Sequence, residues 1–349
     1  MSFVDVIVPC YRYACFLREC VESVLTQSLR DVRLLIIDDA SPDNTADVAA
    51  DLVRADPRVT FFRHSQNWGH IETYNEGINW ADSDYMLILS ADDYLLPGAL
   101  KRAVDLMGTH PDVGFTFGKA VDLTVGGMQT DTVANAAVTS VVHDTSWSLL
   151  DGQEFFRLIQ SFQSSNIVRA PTAIVRTELQ KRLGGYRLEL PHTGDLEMWL
   201  RLAAHADVGV IRDYQAVYRF HGDNMHRGYH RASHLPDLEQ RKAAFDYVAQ
   251  NCSGVLANSH DVHRNLLAPL ALEAVRCASG AFNAGERELA LQLAAFAIAA
   301  HPEIRRTLPW VVLGCKQFLG VRLWSTFQPS VIQLRSFLRF FRSMTRYSD

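Results

Sequence analysis

The 349-residue chain has 48% hydrophobic and 21% charged residues, the balance of a soluble globular protein of two or three domains. Its net charge of −5 is uneven: residues 301–349 carry +6 and residues 1–300 carry −11, so the body should repel nucleic acid while the end suits an anionic surface. Six cysteines (Cys10, Cys15, Cys20, Cys252, Cys277 and Cys315) form no Cys-x-x-Cys pair and read as reduced cytosolic thiols; a strand pattern from Phe3 leaves no room for a signal peptide, and no apolar run approaches the ~18 residues of a spanning helix.

In chain order, "VDVIVPC" reads as a strand and "FLRECVESVLTQSL" as a helix with Leu17, Val21, Val24 and Leu25 on one face. "VRLLIIDD" is a buried-type strand, after which Ser41 as cap and Pro42 at the first position should open a helix. "VTFFRH" is a third strand, "IETYNEGINWA" a helix and "YMLILSADD" a fourth strand. A helix is expected from Pro97 with Leu96 as its cap, then a fifth strand, "VGFTFGKAV". This alternation implies a mostly parallel, Rossmann-like α/β sheet covered on both faces. In such sheets ligands bind beyond the carboxyl ends of the strands, and here those ends carry Pro9-Cys10-Tyr11, Asp38-Asp39 and Asp92-Asp93.

Residues 124–150 look irregular and polar, a long loop or flap. "GQEFFRLIQSF" should be helical, "PTAIVR" a strand, "ELQKRLGGY" a helix stopped by Gly184-Gly185, "DLEMWLRLAAHA" a helix, and "VGVIRD" and "AVYRFH" two strands. Past residue 235 the pattern is helical, with "LEAVRCASGAFNAGERELALQLAAFAIAAHPE" patterned as one tetratricopeptide-like hairpin; a single unit is no repeat array. Two domains are expected, 1–230 and a helical extension 231–349. Within 329–346, Arg335, Arg339, Arg342 and Arg346 fall on one helical stripe opposite Phe337, Phe340, Phe341 and Met344. That pattern fits a helix lying in a membrane interface, or one docked on the protein itself.

The pair Asp92-Asp93 follows an apolar run, Met86 to Leu89, and sets two like charges side by side. It lies too early to cap the next helix, which leaves a solvated turn or a site for a hard cation, since Mg²⁺ and Mn²⁺ take one or two carboxylates plus substrate phosphates. His226, His230 and His234 recur every four residues like a metal-binding helix face, but Gly228 among them argues against a firm helix and against zinc.

With these pieces in order, residues 3–228 resemble the inverting glycosyltransferases of family 2, on the GT-A nucleotide-diphospho-sugar transferase fold. The resemblance rests on "VIVPCYRY", "IIDDASPDNT", "NWGHIETYNEGINWADSDYMLILSADD", "LGGYRLELPHTGDLEMWLRL" and "YRFHGDNMHR". It implies that Pro9, Tyr11 and either Asp38 or Asp39 hold the nucleotide base; a carboxylate can accept a uracil ring N–H. Asn67, Gly69 and Asn75 match a further nucleotide-sugar motif, although Gly77 fits close helix packing equally well. Asp92 and Asp93 would hold the ribose and a divalent cation, Mn²⁺ or Mg²⁺, that bridges the two phosphates. Arg219 matches a donor contact and His221 a further cation ligand or phosphate contact. Asp195 matches the catalytic base, with Glu197 as the fallback, and Trp199 reads as core or as an acceptor platform.

Three positions depart from the family pattern: Tyr74 stands where Arg is usual, Ser90 where the aspartate motif begins, and Gly194 where Glu precedes the base. The implied activity is transfer of a sugar, favouring a UDP-sugar donor, to a glycan or lipid-linked hydroxyl in cell-surface polysaccharide synthesis, with no nucleic-acid partner. The implied place is the cytoplasm, peripheral at the inner membrane face. The departures keep open a degenerate nucleotide-binding scaffold. A sugar nucleotidyltransferase is the other rival, but the loop after the first strand, "VPCYRYACF", has none of the glycines such enzymes carry there.

Overall fold

A computed structural model describes residues 3–124, 126–142, 145–222, 234–320 and 323–324. The fold divides into two compact units: Met1–Arg231 with Gln240–Leu266, and Ala232–Glu239 with Leu267–Asp349. The tail 329–346 and the histidines 226 and 230 lie outside the described residues.

The first unit opens with β1 (Val4–Cys10), α1 (Ala14–Leu25), β2 (Val32–Asp38), α2 (Thr45–Ala55), β3 (Val59–Arg63), α3 (His70–Trp80) and β4 (Tyr85–Ile88). Every residue of β1 is buried, as a strand covered on both faces must be. Asp5 sits at 0% exposure within it. Its carboxylate accepts from Arg33 Nε (2.8 Å) and Nη2 (2.7 Å) and from the backbone N–H groups of Asp82 and Ser83 (2.8 Å each). Burial works against this charge, but Arg33 and the Ser83 donors outweigh it and hold Asp5 below the usual carboxylate range. One buried acid thereby ties β1 to β2 and to the entry of β4.

Two helix starts differ from expectation. Ser41 and Pro42 form a turn, and α2 begins only at Thr45 after Asn44. Ser41 instead donates its N–H to Asp38 Oδ1 (2.8 Å) and accepts from the Arg12 N–H (2.9 Å), bracing the exit of β2 against that of β1. Pro97 is likewise outside its helix: β5 (Tyr94–Leu95) is followed by Gly98 at φ +79°, and α4 (Ala99–Thr109) starts after that left-handed residue.

Next come β6 (Val113–Thr124), β7 (Gly127–Gln129), α5 (Val133–Val141) and β8 (Trp147–Leu150). The stretch 124–150 is therefore structured rather than a flap. The small apolar residues Ala134, Ala137 and Val138 bury one face of α5, and Asn135 bonds both backbone groups of Ala120 (2.9 and 2.7 Å). After α6 (Gly152–Ser161), "PTAIVR" is split between a 3₁₀ turn at Ala170–Thr172 and β9 (Ile174–Arg176). α7 (Thr177–Leu183) ends at Gly184, φ +88°, and α8 (Gly194–Ala203) follows. The two strands expected near 210 and 217 are one, β10 (Asp207–Arg219), whose register shifts between Ile211 and Tyr214 let it continue past a bulge.

Among the described residues one sheet runs β3-β2-β1-β4-β9-β6-β10-β5, with β7 on β6 and β8 on β10. β3, β2, β1 and β4 are parallel, β9 is antiparallel to both neighbours, and β6 and β10 are parallel. Helices α9 (Leu235–Asn251), α10 (Ser259–Ala284) and α11 (Arg287–Ala300) complete the named elements. Within the second unit the hairpin read from sequence is present: α10 turns into α11 at Gly285 (φ +84°), with Ala274, Ala278 and Phe282 buried on one helix and Leu293 and Ala297 on the other.

Candidate active site

The parallel register sets Cys10 beside Asp38 and Ile7 beside Ile88, so the exits of β1, β2 and β4 share one rim. Beyond β4, the Leu89 N–H donates to Ile7 O (2.9 Å) and the Asp93 N–H to Ser90 O (2.9 Å), a turn that places Asp92 and Asp93 under the rim. Both are nearly buried, at 5% and 3% exposure. The short β5 pairs antiparallel with β10, Tyr94 opposite Val217, and so brings the end of β10 onto these acids. The Arg219 N–H donates to Asp93 Oδ1 (2.8 Å), and His221 Nε2 lies 3.0 Å from Asp92 Oδ2. The Arg219 guanidinium is turned to Glu19 (2.8 Å) and over the Phe16 ring (4.5 Å).

Burial pushes both carboxyls above their usual range, opposed at Asp92 by His221; Asp93 is pushed further by the charge of Asp92. Two buried like charges side by side, one of them raised by the other, fit a divalent cation, which would relieve the repulsion. The donors at hand for it are Asp92, Asp93 and His221. Among the described residues no three His, Cys, Asp or Glu side chains form a ready-made cage, so other ligands would have to come from substrate phosphates or water.

Asp195 enters from the opposite wall, in the first turn of α8. Tyr186 donates its hydroxyl to Asp195 Oδ1 (2.9 Å). Burial pushes Asp195 up, against the lowering effect of Tyr186, His70 and His192. His70 Nε2 donates to Pro191 O (2.9 Å), and Thr193 Oγ1 donates to Gln240 O (3.0 Å), which fixes the segment leading into α8. A cavity of about 200 Å³ is lined by Asp92, Asp93, Asp195, Tyr186 and Tyr218 among others. A second, of about 460 Å³, is lined by Pro9, Tyr11, Asp39, Asn67 and Gly69. Tyr13, His70, Tyr74 and Ser90 line both, so the two are continuous.

Of the two acids at the end of β2, only Asp39 lines this space. Asp38 is turned inward to the Ser41 N–H and to Arg63 (3.2 Å). Asp39 accepts from the N–H groups of Trp68 (2.7 Å) and Gly69 (2.9 Å) and meets His64 Nδ1 (2.7 Å). The other His64 nitrogen meets Glu76. Burial disfavours a charge on His64, but Asp39 and Glu76 outweigh it and hold its pKa above the ordinary value.

Asn75 lines neither cavity: it donates to Tyr186 O (3.0 Å) and accepts the Tyr186 N–H (2.7 Å). Glu197 does not reach the cavity either. It is fully buried and doubly bonded to Arg201 (2.7 and 3.0 Å), which also donates to Gly184 O (3.0 Å) and Gly185 O (2.8 Å). Trp199 is core, stacked 5.5 Å from Phe115. Motif reading gives no role to Tyr13, His70 and Tyr218, although each lies within one of the motifs. Tyr186 had a signal in the pair of glycines before it.

Residues 5–157 match the family described as Glycosyl transferase family 2. The chain is 31% identical over 105 residues to the uncharacterized glycosyltransferase EpsJ of Bacillus subtilis, 30% of each chain. It is 34% identical over 101 residues to the chondroitin synthase of Pasteurella multocida, 29% of this chain and 10% of that one. The chain thus spans less than a third of the length of these two curated relatives. Its fold is similar to that of S. aureus TarS 1–349 solved with UDP-GlcNAc, at TM-score 0.64 and 18% identity over 86% of this chain and 82% of that one. A mannosyltransferase of Pyrobaculum calidifontis, solved with GDP-Man and Mn²⁺, superposes at TM-score 0.50 and 17% identity over 86% of each chain. By this match, its motifs and its sheet, the stretch 5–157 is that of a family 2 glycosyltransferase, and the fold is that of the GT-A enzymes.

Proposed function

We propose that this chain transfers a sugar from a nucleoside diphosphate sugar, a UDP-sugar foremost, to an acceptor hydroxyl with inversion at the anomeric carbon. The observation that carries the reading is the continuity of the two cavities: Asp39 stands at one end, Asp92 and Asp93 in the middle, Asp195 across from them. The nucleoside would lie against Pro9, Tyr11, Asn67 and Gly69. Asp39 already accepts three donors, but its two oxygens offer about four lone-pair directions, which leaves one for a ring N–H. The bound UDP-GlcNAc of TarS supports this donor class, and the Mn²⁺ of the mannosyltransferase supports Mn²⁺ or Mg²⁺ as cofactor.

Asp92 and Asp93 would hold the cation, with His221 beside them; when bound, it supplies Lewis-acid stabilisation of the departing diphosphate. Asp195 takes the proton from the acceptor hydroxyl as that oxygen attacks the anomeric carbon from the face opposite the diphosphate. A carboxylate whose proton affinity is raised by burial suits that task. The acceptor is a glycan or lipid-linked hydroxyl of a cell-surface polysaccharide. The basic segment 329–346 would bring the enzyme to the inner leaflet from the cytoplasm.

The test is thermal stability with UDP, GDP, dTDP and CMP, each with and without Mn²⁺. Binding to the native state raises Tm by mass action, by ~2.7 kcal/mol of stability at a hundredfold excess over Kd. The expected result is a rise with UDP that needs Mn²⁺ and is lost in Asp93→Ala. No rise with any nucleotide, in a folded protein, would favour a scaffold role.

A further inference from the structure

We propose that Tyr186 is the positioning residue of the general base: its hydroxyl holds Asp195 in line with the cavity, and Gly194 is the residue that makes room for it. The inference rests on the reading of Asp195 as base. Four observations carry it. The first is the hydrogen bond itself, 2.9 Å from Tyr186 Oη to Asp195 Oδ1, with both residues lining the cavity. The second is the fixing of Tyr186. Asn75 pairs with both of its backbone groups, and a Cβ on Gly185 would lie 2.1 Å from Asn75 Oδ1, so only glycine permits that pairing.

The third is Gly194. A Cβ there would stand 2.9 Å from Tyr186 Cδ1. Any side chain at 194 would displace the ring that orients its neighbour Asp195. The fourth is Tyr74, whose ring packs edge-on against Tyr186 at 5.2 Å and which lines the same cavity as Ser90. Tyr74 and Gly194 thus meet at one ring. Two of the three departures from the family pattern are a single arrangement in which a tyrosine, not a neighbouring acid, manages the base.

The charged and titratable groups facing Asp195 are His70 from α3, His192 from the loop before α8, Tyr186, Tyr74, and Tyr218 from β10. Of these, Tyr186 donates a hydrogen bond directly to the carboxylate. Donation to the ionised form lowers the pKa of a carboxyl. Removing the hydroxyl therefore raises it, and the base is ionised only at higher pH.

In full-length protein, Tyr186→Phe should move the acid limb of the kcat/KM profile upward by about one to two pH units, the size of one charge-assisted hydrogen bond. At a fixed pH on that limb, activity falls about tenfold for every pH unit by which the limb moves. Donor KM should change little, because the ring stays. Gly194→Ala should move the limb upward in the same way, and the double variant should be no worse than the poorer single one. Asp195→Asn, measured alongside, separates the two claims. If it transfers sugar like the wild type, the base assignment fails. If it is inactive and Tyr186→Phe leaves the acid limb in place, the positioning role fails alone.

Discussion

Asp195 and Glu197 stand two residues apart on α8 and have opposite surroundings. Asp195 opens onto a cavity, whereas Glu197 is sealed against Arg201. Both acids are plain in the sequence, and so is Arg201 four residues after Glu197, at the spacing of a helical ion pair. What sequence does not reveal is that the pair is buried and braces the Gly184-Gly185 turn, because that turn is brought in by the fold. Breaking a buried pair leaves an uncompensated charge and costs about 3–5 kcal/mol. Glu197→Gln should therefore lower Tm by several degrees, yet leave the acid limb of the rate profile unmoved below the melting range. A stable variant with a displaced limb would transfer the base role to Glu197. The ambiguity between Asp38 and Asp39 had the same origin: side-by-side acids look alike until the turn at Ser41 draws one of them inward.

At the scale of elements, the alternation of strands and helices was readable because buried parallel strands leave long apolar runs. Boundaries were less so. Ser41-Pro42 and Pro97 have the chemistry of helix starts, but hydrogen bonding in one turn and a left-handed Gly98 in the other delay the helices to Thr45 and Ala99. The segment 124–150 looked structureless because its helix, α5, is built from alanine, valine and threonine rather than from a strong amphipathic stripe. Gly77 had two readings, and the packing one has its distance: a Cβ there would lie 2.3 Å from Ile7 Cγ2. Gly77→Ala gains up to ~1 kcal/mol of helix propensity. Overpacking costs ~1–3 kcal/mol, and the methyl would meet a β-branched side chain in the centre of β1. The urea midpoint should fall. An unchanged or higher midpoint would mean that α3 is free to move off the sheet.

For the molecule as a whole, the strand-bearing unit runs to Arg231 and also takes in Gln240–Leu266. Its later part is legible only in space, through bonds such as those of Gln240 to His192 and Thr193 (3.3 and 3.0 Å). No described helix is long and apolar enough to cross a membrane. The charge asymmetry nevertheless predicts a surface for the end of the chain. Deleting residues 329–349 should move the protein from the membrane to the soluble fraction, and from vesicles containing anionic lipid to the supernatant, with nucleotide binding retained. Equal partition of the two forms would make the segment a structural one. Another consequence concerns inheritance. Asn75, Gly185, Tyr186 and Gly194 fit one another to within a single atom's width, although more than a hundred residues of chain separate the first from the rest. Recombination between related genes would preserve that fit only where the crossover falls before residue 74 or after residue 195. The two stretches should therefore pass from ancestor to descendant as one linked trait, and chimeras joined between them should be the ones that lose the Tyr186–Asp195 hydrogen bond.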